Sequence, residues 1–351
     1  MINILFVGDS RFPQYVKAFY DASLKIDNVK AELFDFGVFS KKIADWKLLL
    51  RAENKFKNGL NVARLNAELL KRVKGGIYDI VFLYSASLIY GSTVKKLHKY
   101  CKWVAIYCND DPFSQWYGAY VWRHYRKSIT YADICYSYRD SNIDSYKAAG
   151  AHVTGLLRAY YIQERNYYIP DEEISMMVPD VVYIGHKEDD DRHLYIRELL
   201  EEDIQVGLND SWDDFESDNA SIVRFTREQS TQKYNEILNK AKIAIVFLSS
   251  INHDTYTRRC FEIPAVKTMM IAPYTDDLSE MFEEDKEIVF YRNKEEFLMK
   301  IKYYLTHEDE RNKIAEAGNL RVVKDKHECS DRIMQIVDDY EKYCVEEKQS
   351  M

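Results

Sequence analysis

Short apolar runs that alternate with helical stretches constrain the fold of this chain more than any other feature. In the first half, Ile2–Gly8, Asp79–Tyr84 and Trp103–Cys108 are almost continuously apolar, and Ile243–Leu248 repeats the pattern in the second half. Runs of this kind are typical of strands that are buried on both faces of a parallel sheet. Because these strands alternate with helices, the sequence predicts open α/β sheets covered by helices.

The alternation occurs in two series, which residues 162–179 separate. The first series has predicted strands at Ile2–Gly8, Ala31–Phe36, Asp79–Tyr84, Trp103–Cys108, Ala132–Ser137 and His152–Leu157. Its predicted helices are Tyr15–Leu24, residues 45–74, Val94–Tyr100 and Ser141–Ala149. The second series has predicted strands at Val181–Gly185, Ile204–Leu208, Ile243–Leu248, Thr268–Ala272 and Ile288–Tyr291. Its predicted helices are Arg192–Glu201, Ser230–Lys240, Phe261–Lys267, Lys294–Thr306, Glu308–Val323 and Cys329–Tyr343.

Residues 162–179 are polar and contain two prolines, so we expect them to link two domains. A chain of 351 residues is long enough for two domains of ordinary size. Two Rossmann-like halves leave a cleft between them, and ligands of such sheets bind beyond the carboxyl ends of the strands. The chain has no G-x-G-x-x-G after Ile2–Gly8 and no G-x-x-x-x-G-K-[ST], which argues against classical NAD binding and P-loop nucleotide hydrolysis.

Charge and composition exclude several classes of protein. With 49 basic and 57 acidic residues the net charge is −8, so we expect no nucleic-acid partner. No apolar run is long enough for a membrane span, and no basic segment precedes Ile2–Gly8 as in a signal peptide, so a soluble cytoplasmic protein is expected. Lys and Arg within residues 41–74 leave a peripheral membrane association open, although the acidic residues among them favour an ordinary exposed helix face. None of the six cysteines forms a C-x-x-C pair, which favours reduced thiols over zinc or disulfides.

The segment Ser249–Ala272 carries the most informative group of charged residues. Asp254 and Glu262 are separated by seven residues, and Arg258 and Arg259 lie just before Glu262. An arginine offers a planar fork to phosphate oxygens, and a carboxylate accepts hydrogen bonds from the vicinal hydroxyls of a ribose. One site of this composition would hold the ribose and the diphosphate of a nucleotide-sugar.

A predicted helix that begins at Phe261 places Glu262 in its first turn. The helix dipole there favours anions, and backbone N–H groups help to hold a diphosphate. In the alternative interpretation, Glu262 only caps the helix or pairs with its dipole, and the neighbouring arginines form a solvated face. Spacing alone favours this second interpretation.

The run TRRCFEIPAVKTMMIA, followed by LSEMFEEDKEIVFYRNKEEFLMKIKYYL, resembles the C-terminal domain of group 1 glycosyltransferases. Within that group the chain is most similar to the branch of spore-maturation glycosyltransferase-like proteins, whose motif reads R-x-F-E-I-x-A-x-G. The matching residues are Arg259, Phe261, Glu262, Ile263 and Ala265, whereas Lys267 replaces the glycine. DVVYIGHKEDDDRHLYIREL, AIYCNDDPF and ADICYSYRDSNIDSYKAAGA are also similar to this branch. The likeness covers most of the chain, weakly in residues 1–75 and well in residues 180–325.

The resemblance implies an α/β protein of GT-B fold, in which two Rossmann-like α/β/α domains hold parallel sheets that face each other across a cleft. It implies an acceptor domain over residues 1–165, a nucleotide-sugar donor domain over residues 175–326, and a C-terminal helix over residues 327–345 that crosses back to the first domain. The implied reaction moves a sugar from a nucleotide-activated donor to a hydroxyl group of a glycan, glycolipid or protein. We expect it to be retaining and metal-independent, with no cofactor besides the donor.

The resemblance also implies roles for individual residues. Glu262 would contact the donor ribose, Arg259 would neutralise the leaving diphosphate, and Asp254 would lie near the transferred sugar, where many members carry a glutamate. Arg258, Phe261 and Ile263 are expected on the donor side because they lie in the same motif. Gly185 and His186 end a predicted strand where the family's first donor-domain loop meets phosphate.

In the first domain, Asp110 and Asp111 follow a predicted strand, and a carboxylate there is a candidate base toward an acceptor hydroxyl. An Asx-turn before Pro112 explains these aspartates equally well. Asp9, Ser10 and Arg11 form the first loop, and we expect them on the acceptor side. The aspartates at 189–191 are better explained as a solvated turn than as a metal site.

Two other functions stay open. A nucleotide-sugar epimerase-like enzyme has the same fold and acts without an acceptor. A catalytically silent module that binds sugar nucleotides is suggested by Asp254, which is shorter than the family's glutamate, and by the missing glycine at Lys267. The sequence does not specify the donor base, the sugar or the acceptor.

Overall fold

The computed structural model describes residues 1–37, 47–216 and 218–350, and the chain forms two compact units. Unit 1 consists of Met1–Arg158 together with Cys329–Met351, and unit 2 consists of Ala159–Glu328. The sequence analysis expected the first domain to end at residue 165 and the second to span residues 175–326, whereas unit 2 begins at Ala159 and ends at Glu328. The first two residues of the helix expected over residues 45–74 lie outside the described residues.

Unit 1 is built on a six-stranded sheet of order β2-β1-β3-β4-β5-β6, in which every pair of neighbouring strands is parallel. Its strands are β1 (Ile2–Gly8), β2 (Val29–Asp35), β3 (Tyr78–Tyr84), β4 (Cys101–Cys108), β5 (Ile134–Ser137) and β6 (Thr154–Leu156). Its helices up to β6 are α1 (Val16–Ser23), α2 (Lys47–Phe56), α3 (Leu60–Gly75), α4 (Gly91–Leu97), α5 (Arg123–Ser128) and α6 (Ile143–Ala148). Every residue of β3 is buried, as its continuous apolar run predicts.

The long helix expected over residues 45–74 is two helices, α2 and α3. The chain breaks between them because Lys57 has a φ of 52° and Gly59 a φ of 144°, and neither value fits a right-handed helix. At the end of α2, Arg123 Nη2 donates to the carbonyl of Phe56 across 2.9 Å. A guanidinium therefore satisfies one of the carbonyl groups that this helix end leaves open.

The last helix, α14 (Cys329–Ser350), packs on unit 1. Tyr136 donates its hydroxyl to Asp339 across 2.8 Å, Gln335 donates its amide to the carbonyl of Leu156 across 2.9 Å, and the rings of Trp103 and Tyr340 lie 5.8 Å apart. The helix is longer than the expected Cys329–Tyr343, and it also passes the end expected at residue 345.

Unit 2 holds a second six-stranded parallel sheet, of order β12-β11-β10-β7-β8-β9. Its strands are β7 (Val181–Tyr183), β8 (Val206–Asn209), β9 (Ile222–Phe225), β10 (Ile243–Ile245), β11 (Met269–Pro273) and β12 (Val289–Tyr291). Its helices are α7 (Arg192–Glu201), α8 (Arg227–Gln232), α9 (Tyr234–Lys240), α10 (Arg259–Ala265), α11 (Asp276–Met281), α12 (Lys294–Thr306) and α13 (Glu308–Lys324). The two parallel sheets with their helices confirm the predicted α/β class.

The segment expected to be a linker packs on unit 2. Asn235, on α9, accepts a hydrogen bond from the backbone N–H of Tyr167 across 3.3 Å and donates to the carbonyl of Tyr167 across 2.9 Å. Asn239 accepts from the N–H of Ile169 across 2.7 Å. These side-chain amides hold a polar stretch without regular structure against a helix, which composition alone does not reveal.

The described residues contain no helix that is both long enough and apolar enough to cross a membrane. Within the same residues, no group of three or more His, Cys, Asp and Glu side chains is placed to hold a metal ion.

Candidate active site

Helix α10 follows the carboxyl end of β10 and carries the candidate donor-binding residues. It begins at Arg259, two residues earlier than expected, because the backbone N–H groups of Phe261 and Glu262 already bond to the carbonyl of Arg258 across 2.9 and 3.1 Å. Glu262 still lies in the first turn. The side chains of Phe261 and Ile263 are fully buried and pack the helix on unit 2. Their expected contact with the donor stays a prediction.

Glu262 is buried, and both of its carboxylate oxygens have partners within unit 2. Arg258 Nε lies 2.7 Å from Oε1, and the hydroxyl of Tyr234 donates to Oε2 across 3.0 Å. Burial and the charge of Glu262 raise the pKa of Tyr234 well above its usual range, so this hydroxyl remains a donor. Since each carboxylate oxygen accepts more than one hydrogen bond, the side chain is held in place and retains capacity for a ligand.

Arg259 has no carboxylate partner among the residues that the structure describes, and its Nε is buried without a hydrogen-bond partner. Its guanidinium carbon lies 5.7 Å from the centre of the Tyr183 ring, at the carboxyl end of β7. A guanidinium on an aromatic face is oriented by the ring and keeps its N–H groups for an anion. Arg259 is therefore a partly buried cation that forms no ion pair with a carboxylate of the described residues.

The loop after β7 lies beside the same tyrosine. Tyr183 donates its hydroxyl to the carbonyl of His186 across 3.1 Å, and Arg192 Nη1 donates to that carbonyl across 2.6 Å. A Cβ atom at Gly185 would lie 2.5 Å from the Tyr183 hydroxyl, so this position requires glycine. The side chain of His186 is exposed. Tyr183 thus brings Gly185 and His186 close to Arg259.

Among the three neighbouring aspartates, Asp190 forms an ion pair with the buried Arg192 across 2.7 Å, whereas Asp189 and Asp191 are exposed. Arg192 also contacts Glu188, 3.1 Å away, and the carbonyl of Leu248. This arginine orders the loop, which agrees with the expectation of a turn at this place.

Asp254 lies in the loop between β10 and α10, where its backbone N–H donates to the carbonyl of Ser249 across 2.9 Å. The preceding His253 has a φ of 50°, so the chain turns sharply just before the aspartate. Burial, with a contribution from the negative charge of Asp254, raises the pKa of Cys260 to about 11. The carboxylate therefore lies near the start of α10.

In unit 1, the first loop is held by Asp35, which the sequence analysis does not single out. The hydroxyl of Ser10 donates to Asp35 Oδ2 across 2.6 Å, and the N–H of Ser10 donates to Oδ1 across 3.1 Å. Arg11 is exposed and its Nε donates to Asp9 across 2.9 Å. Burial alone would raise the pKa of Asp9, but the hydrogen bonds from Arg11 outweigh it and lower that pKa.

Asp110 and Asp111 follow β4 but differ in their surroundings. Asp111 is buried, and its Oδ1 accepts from the amide of Asn142 across 2.7 Å and from the N–H of Phe113 across 2.9 Å. This is the Asx-turn that the sequence analysis kept as an alternative, so Asp111 has a structural role. Asp110 is only half-buried, and it is the better placed of the two to reach a ligand.

Residues 192–338 match the model of a protein family that is described as glycosyl transferase-like. Over these residues the chain is similar to group 1 glycosyltransferases. No curated protein sequence matches the chain significantly. Its membership of the spore-maturation branch stays a prediction.

Solved structures show that the chain has the GT-B fold. HepE of Anabaena, in complex with UDP and glucose, superposes with a TM-score of 0.69 at 11% identity over 97% of this chain and 100% of that one. Sucrose-phosphate synthase of Thermosynechococcus elongatus superposes with a TM-score of 0.72 at 10% identity over 98% and 100% of the two chains. A UDP-N-acetylglucosamine 2-epimerase of Listeria monocytogenes, called putative in its description, is similar as well, with a TM-score of 0.55 at 12% identity over 97% of each chain. At these identities the likeness establishes the fold.

The sequence analysis does not identify two residues that contact the candidate donor-binding residues, namely Tyr183 and Tyr234. Tyr183 is one of 28 tyrosines, and its position at the end of a strand two residues before Gly185 is its only signal. Tyr234 lies in a helix that the sequence predicts without indicating what the helix faces. Only the packing of α9 beside α10 shows that Tyr234 meets Glu262.

Proposed function

We propose that this protein transfers a sugar from a nucleotide-activated donor to a hydroxyl group of a glycan, glycolipid or protein acceptor. We further propose that the reaction retains the anomeric configuration and needs neither a metal ion nor a cofactor besides the donor. The observation that carries the proposal is the arrangement of Arg259 and Glu262, one turn apart on α10. Arg259 supplies a cation without a carboxylate partner in the described chain, and Glu262 supplies a carboxylate that can accept further hydrogen bonds.

Arg259 supports the donor class because a departing nucleoside diphosphate develops negative charge that must be stabilised. A guanidinium stabilises this charge through a planar pair of N–H groups, and no metal ion is then required for that step. The ring of Tyr183 holds the guanidinium in advance, so little reorganisation is needed during the reaction.

Glu262 supports the nucleotide part of the donor. Its oxygens are fixed by Arg258 and Tyr234, and each has a lone pair left for one hydroxyl of a ribose. Gly185 and His186 are proposed to approach the phosphates from the neighbouring loop. HepE, which shares the fold, binds UDP and glucose, and this makes uridine diphosphate sugars the first donors to test.

The remaining roles are assigned by chemistry. We assign Asp254 to the transferred sugar, because it lies near the start of the same helix, and the proposed retention depends on it. We assign Asp110 as the base toward the acceptor hydroxyl, and Asp9, Ser10 and Arg11 to the acceptor itself. Since Asp111 is used by the turn, it is not part of this proposal.

The test is a panel of UDP-, GDP-, ADP- and dTDP-sugars, with donor binding followed by thermal shift and turnover by release of nucleotide. Arg259→Lys keeps the charge but loses the fork, so turnover is expected to fall about tenfold or more. Glu262→Gln is expected to weaken donor binding by about 2–3 kcal/mol. Arg258→Lys serves as the matched control: loss of turnover in this variant with normal turnover in Arg259→Lys would contradict the assignment of Arg259.

The same assay tests the proposed metal independence and the enzymatic role. We expect turnover to persist in the presence of a chelator, and its complete loss with recovery on addition of manganese or magnesium would contradict metal independence. A catalytically silent module would bind donor sugars without releasing nucleotide from any of them.

A nucleotide-sugar epimerase is the second candidate, and the likeness to the Listeria epimerase favours it. Such an enzyme changes the sugar of its nucleotide-sugar substrate without any acceptor. Product analysis by NMR after incubation with donor alone separates the two functions, because a transferase leaves the configuration of the donor sugar unchanged.

A further inference from the structure

Unit 2 contains buried donor atoms that have no hydrogen-bond partner in the described chain. They include Arg165 Nη1, Thr257 Oγ1 and Arg259 Nε. Buried polar groups in folded proteins are almost always satisfied, so each unsatisfied donor requires an explanation. Arg259 already belongs to the proposed donor site, but Arg165 lies outside the matched family region, which begins at residue 192.

The segment before β7 brings Arg165 to this place. The buried side chain of Asn166 accepts a hydrogen bond from the N–H of Ile162 across 3.0 Å, and the N–H of Arg165 donates to the carbonyl of Ile162 across 2.8 Å, which closes a tight turn. The next residue, Tyr167, is bonded to Asn235 on α9. The neighbour of Asn235 on that helix is Tyr234, whose hydroxyl bonds to Glu262.

Arg165 lies close to charged groups of the candidate donor site. Burial lowers the pKa of Arg165, the positive charge of Arg258 lowers it further, and the negative charge of Glu262 opposes both effects. The residue as a whole is half-buried, whereas its Nη1 is buried without a hydrogen-bond partner in the described chain. A buried donor atom that lacks an acceptor is costly, so its retention points to an anion that arrives with a ligand.

We propose that Arg165 is a further donor-binding residue, whose Nη1 donates to an oxygen of a nucleoside diphosphate. This inference rests on the proposed function, since it extends the same donor site. The diphosphate of a nucleotide-sugar carries two negative charges, and its oxygens accept hydrogen bonds from a guanidinium. The enzyme is therefore expected to select donors with a diphosphate over donors with a single phosphate.

The experiment compares the full chain with Arg165→Met, Arg165→Lys and the control Arg197→Met. Arg197 is an arginine of unit 2 that forms an ion pair with Glu216 across 2.8 Å. Binding of UDP, GDP, ADP and dTDP, of the matching monophosphates and of the nucleosides is measured by calorimetry. Unfolding of each variant is followed without nucleotide.

We expect Arg165→Met to bind the preferred diphosphate about tenfold more weakly or worse, with little change for the nucleoside. Arg165→Lys should recover part of the affinity, and Arg197→Met should bind like the wild type. Because a buried donor atom without an acceptor is removed, the nucleotide-free Arg165→Met variant should unfold at the same or a higher temperature.

Equal binding of the diphosphate by Arg165→Met and the wild type overturns the inference and leaves the proposed function intact. A lower unfolding temperature with equal losses for diphosphate and nucleoside also overturns it, since a merely structural arginine behaves in that way. If the wild type binds none of the nucleotides, the proposed function fails and takes this inference with it.

Discussion

Tyr234 donates its hydroxyl hydrogen to Oε2 of Glu262 across 3.0 Å, and this bond joins α9 to α10. Tyr234 belongs to the helix before β10, and Glu262 belongs to the helix after it. The contact therefore depends on how both helices pack beside this strand. Its effect is to fix a buried carboxylate that can still accept further hydrogen bonds.

Removal of this hydroxyl by Tyr234→Phe is the first prediction. We expect a loss of about 1 kcal/mol in stability, because a buried charged acceptor loses a donor, and a donor affinity that falls severalfold. Calorimetry and denaturant unfolding measure the two effects.

Tyr303→Phe is the matched control, because Tyr303 donates to Glu310 across 3.0 Å at the surface of the same unit. We expect this variant to change neither stability nor donor affinity by more than about 0.5 kcal/mol, since water replaces the lost bond. Equal behaviour of the two variants would show that the Tyr234 contact has no special role.

The sequence predicts much of the fold because buried parallel strands are almost continuously apolar. β1 and α12 have the bounds that the pattern predicts. β9 was missed, because it has only four residues and one of them is Arg224. α11 was missed as well, since its six residues give too short a pattern to show helical periodicity.

The candidate site is predictable only where its residues are neighbours in the chain. The motif around Arg259 and Glu262 is local, and its resemblance to a known family identifies it. Tyr234 and Arg165 come near Glu262 only through tertiary packing, so no local spacing in the sequence predicts their position. The sequence did not show which of Asp110 and Asp111 forms the turn, because an aspartate carboxylate can serve equally well in an Asx-turn or as a catalytic base.

Lys267 has a positive φ, so its substitution tests whether the backbone is strained at this position. It stands where the family motif has glycine, and its φ of 60° is one that glycine adopts without strain. We expect Lys267→Gly to stabilise unit 2 by up to about 1 kcal/mol, although the contact of its Nζ with the Tyr168 ring at 5.2 Å is lost. Lys313→Gly, an exposed position inside α13, should instead cost about 1 kcal/mol. Denaturant unfolding measures the change in the free energy of unfolding for both variants. A loss of stability in Lys267→Gly would contradict backbone strain at Lys267.

Asp110 and Asp111 are expected to respond to mutation in opposite ways. Asp111→Ala should destabilise unit 1 by about 1–3 kcal/mol, since it leaves the amide of Asn142 and the N–H of Phe113 without their acceptor. Asp110→Asn should change stability less than Asp111→Ala, because Asp110 is only half-buried, and it should lower turnover by about a hundredfold if this carboxylate is the base. Unfolding and nucleotide release are measured on both. Normal turnover in Asp110→Asn would remove Asp110 from the proposed mechanism.

The last prediction concerns acid and the stability of unit 1. Asp79 begins the apolar run of β3, and its Oδ2 accepts from the backbone N–H of Asn3 across 2.8 Å, while Lys102 lies 2.8 Å from Oδ1. Burial would raise the pKa of this carboxyl, but the hydrogen bonds from Asn3 and Lys102 outweigh burial and lower it. A lowered pKa means that the ionised form stabilises the folded state. That contribution is complete above the unfolded-state pKa of about 4, and it is lost as the pH falls through the lower folded value.

Asp79→Asn should therefore cost about 1–3 kcal/mol at pH 7, and this difference from the wild type should shrink as the pH falls below about 4. Urea unfolding between pH 7 and pH 3 measures it. Asp144→Asn is the control, because the Asp144 side chain is 94% exposed beside Lys147, and we expect no difference there at any pH. A difference for Asp79→Asn that stays constant down to pH 3 would mean that its carboxylate stabilises unit 1 through shape and packing, since only an effect of charge disappears on protonation.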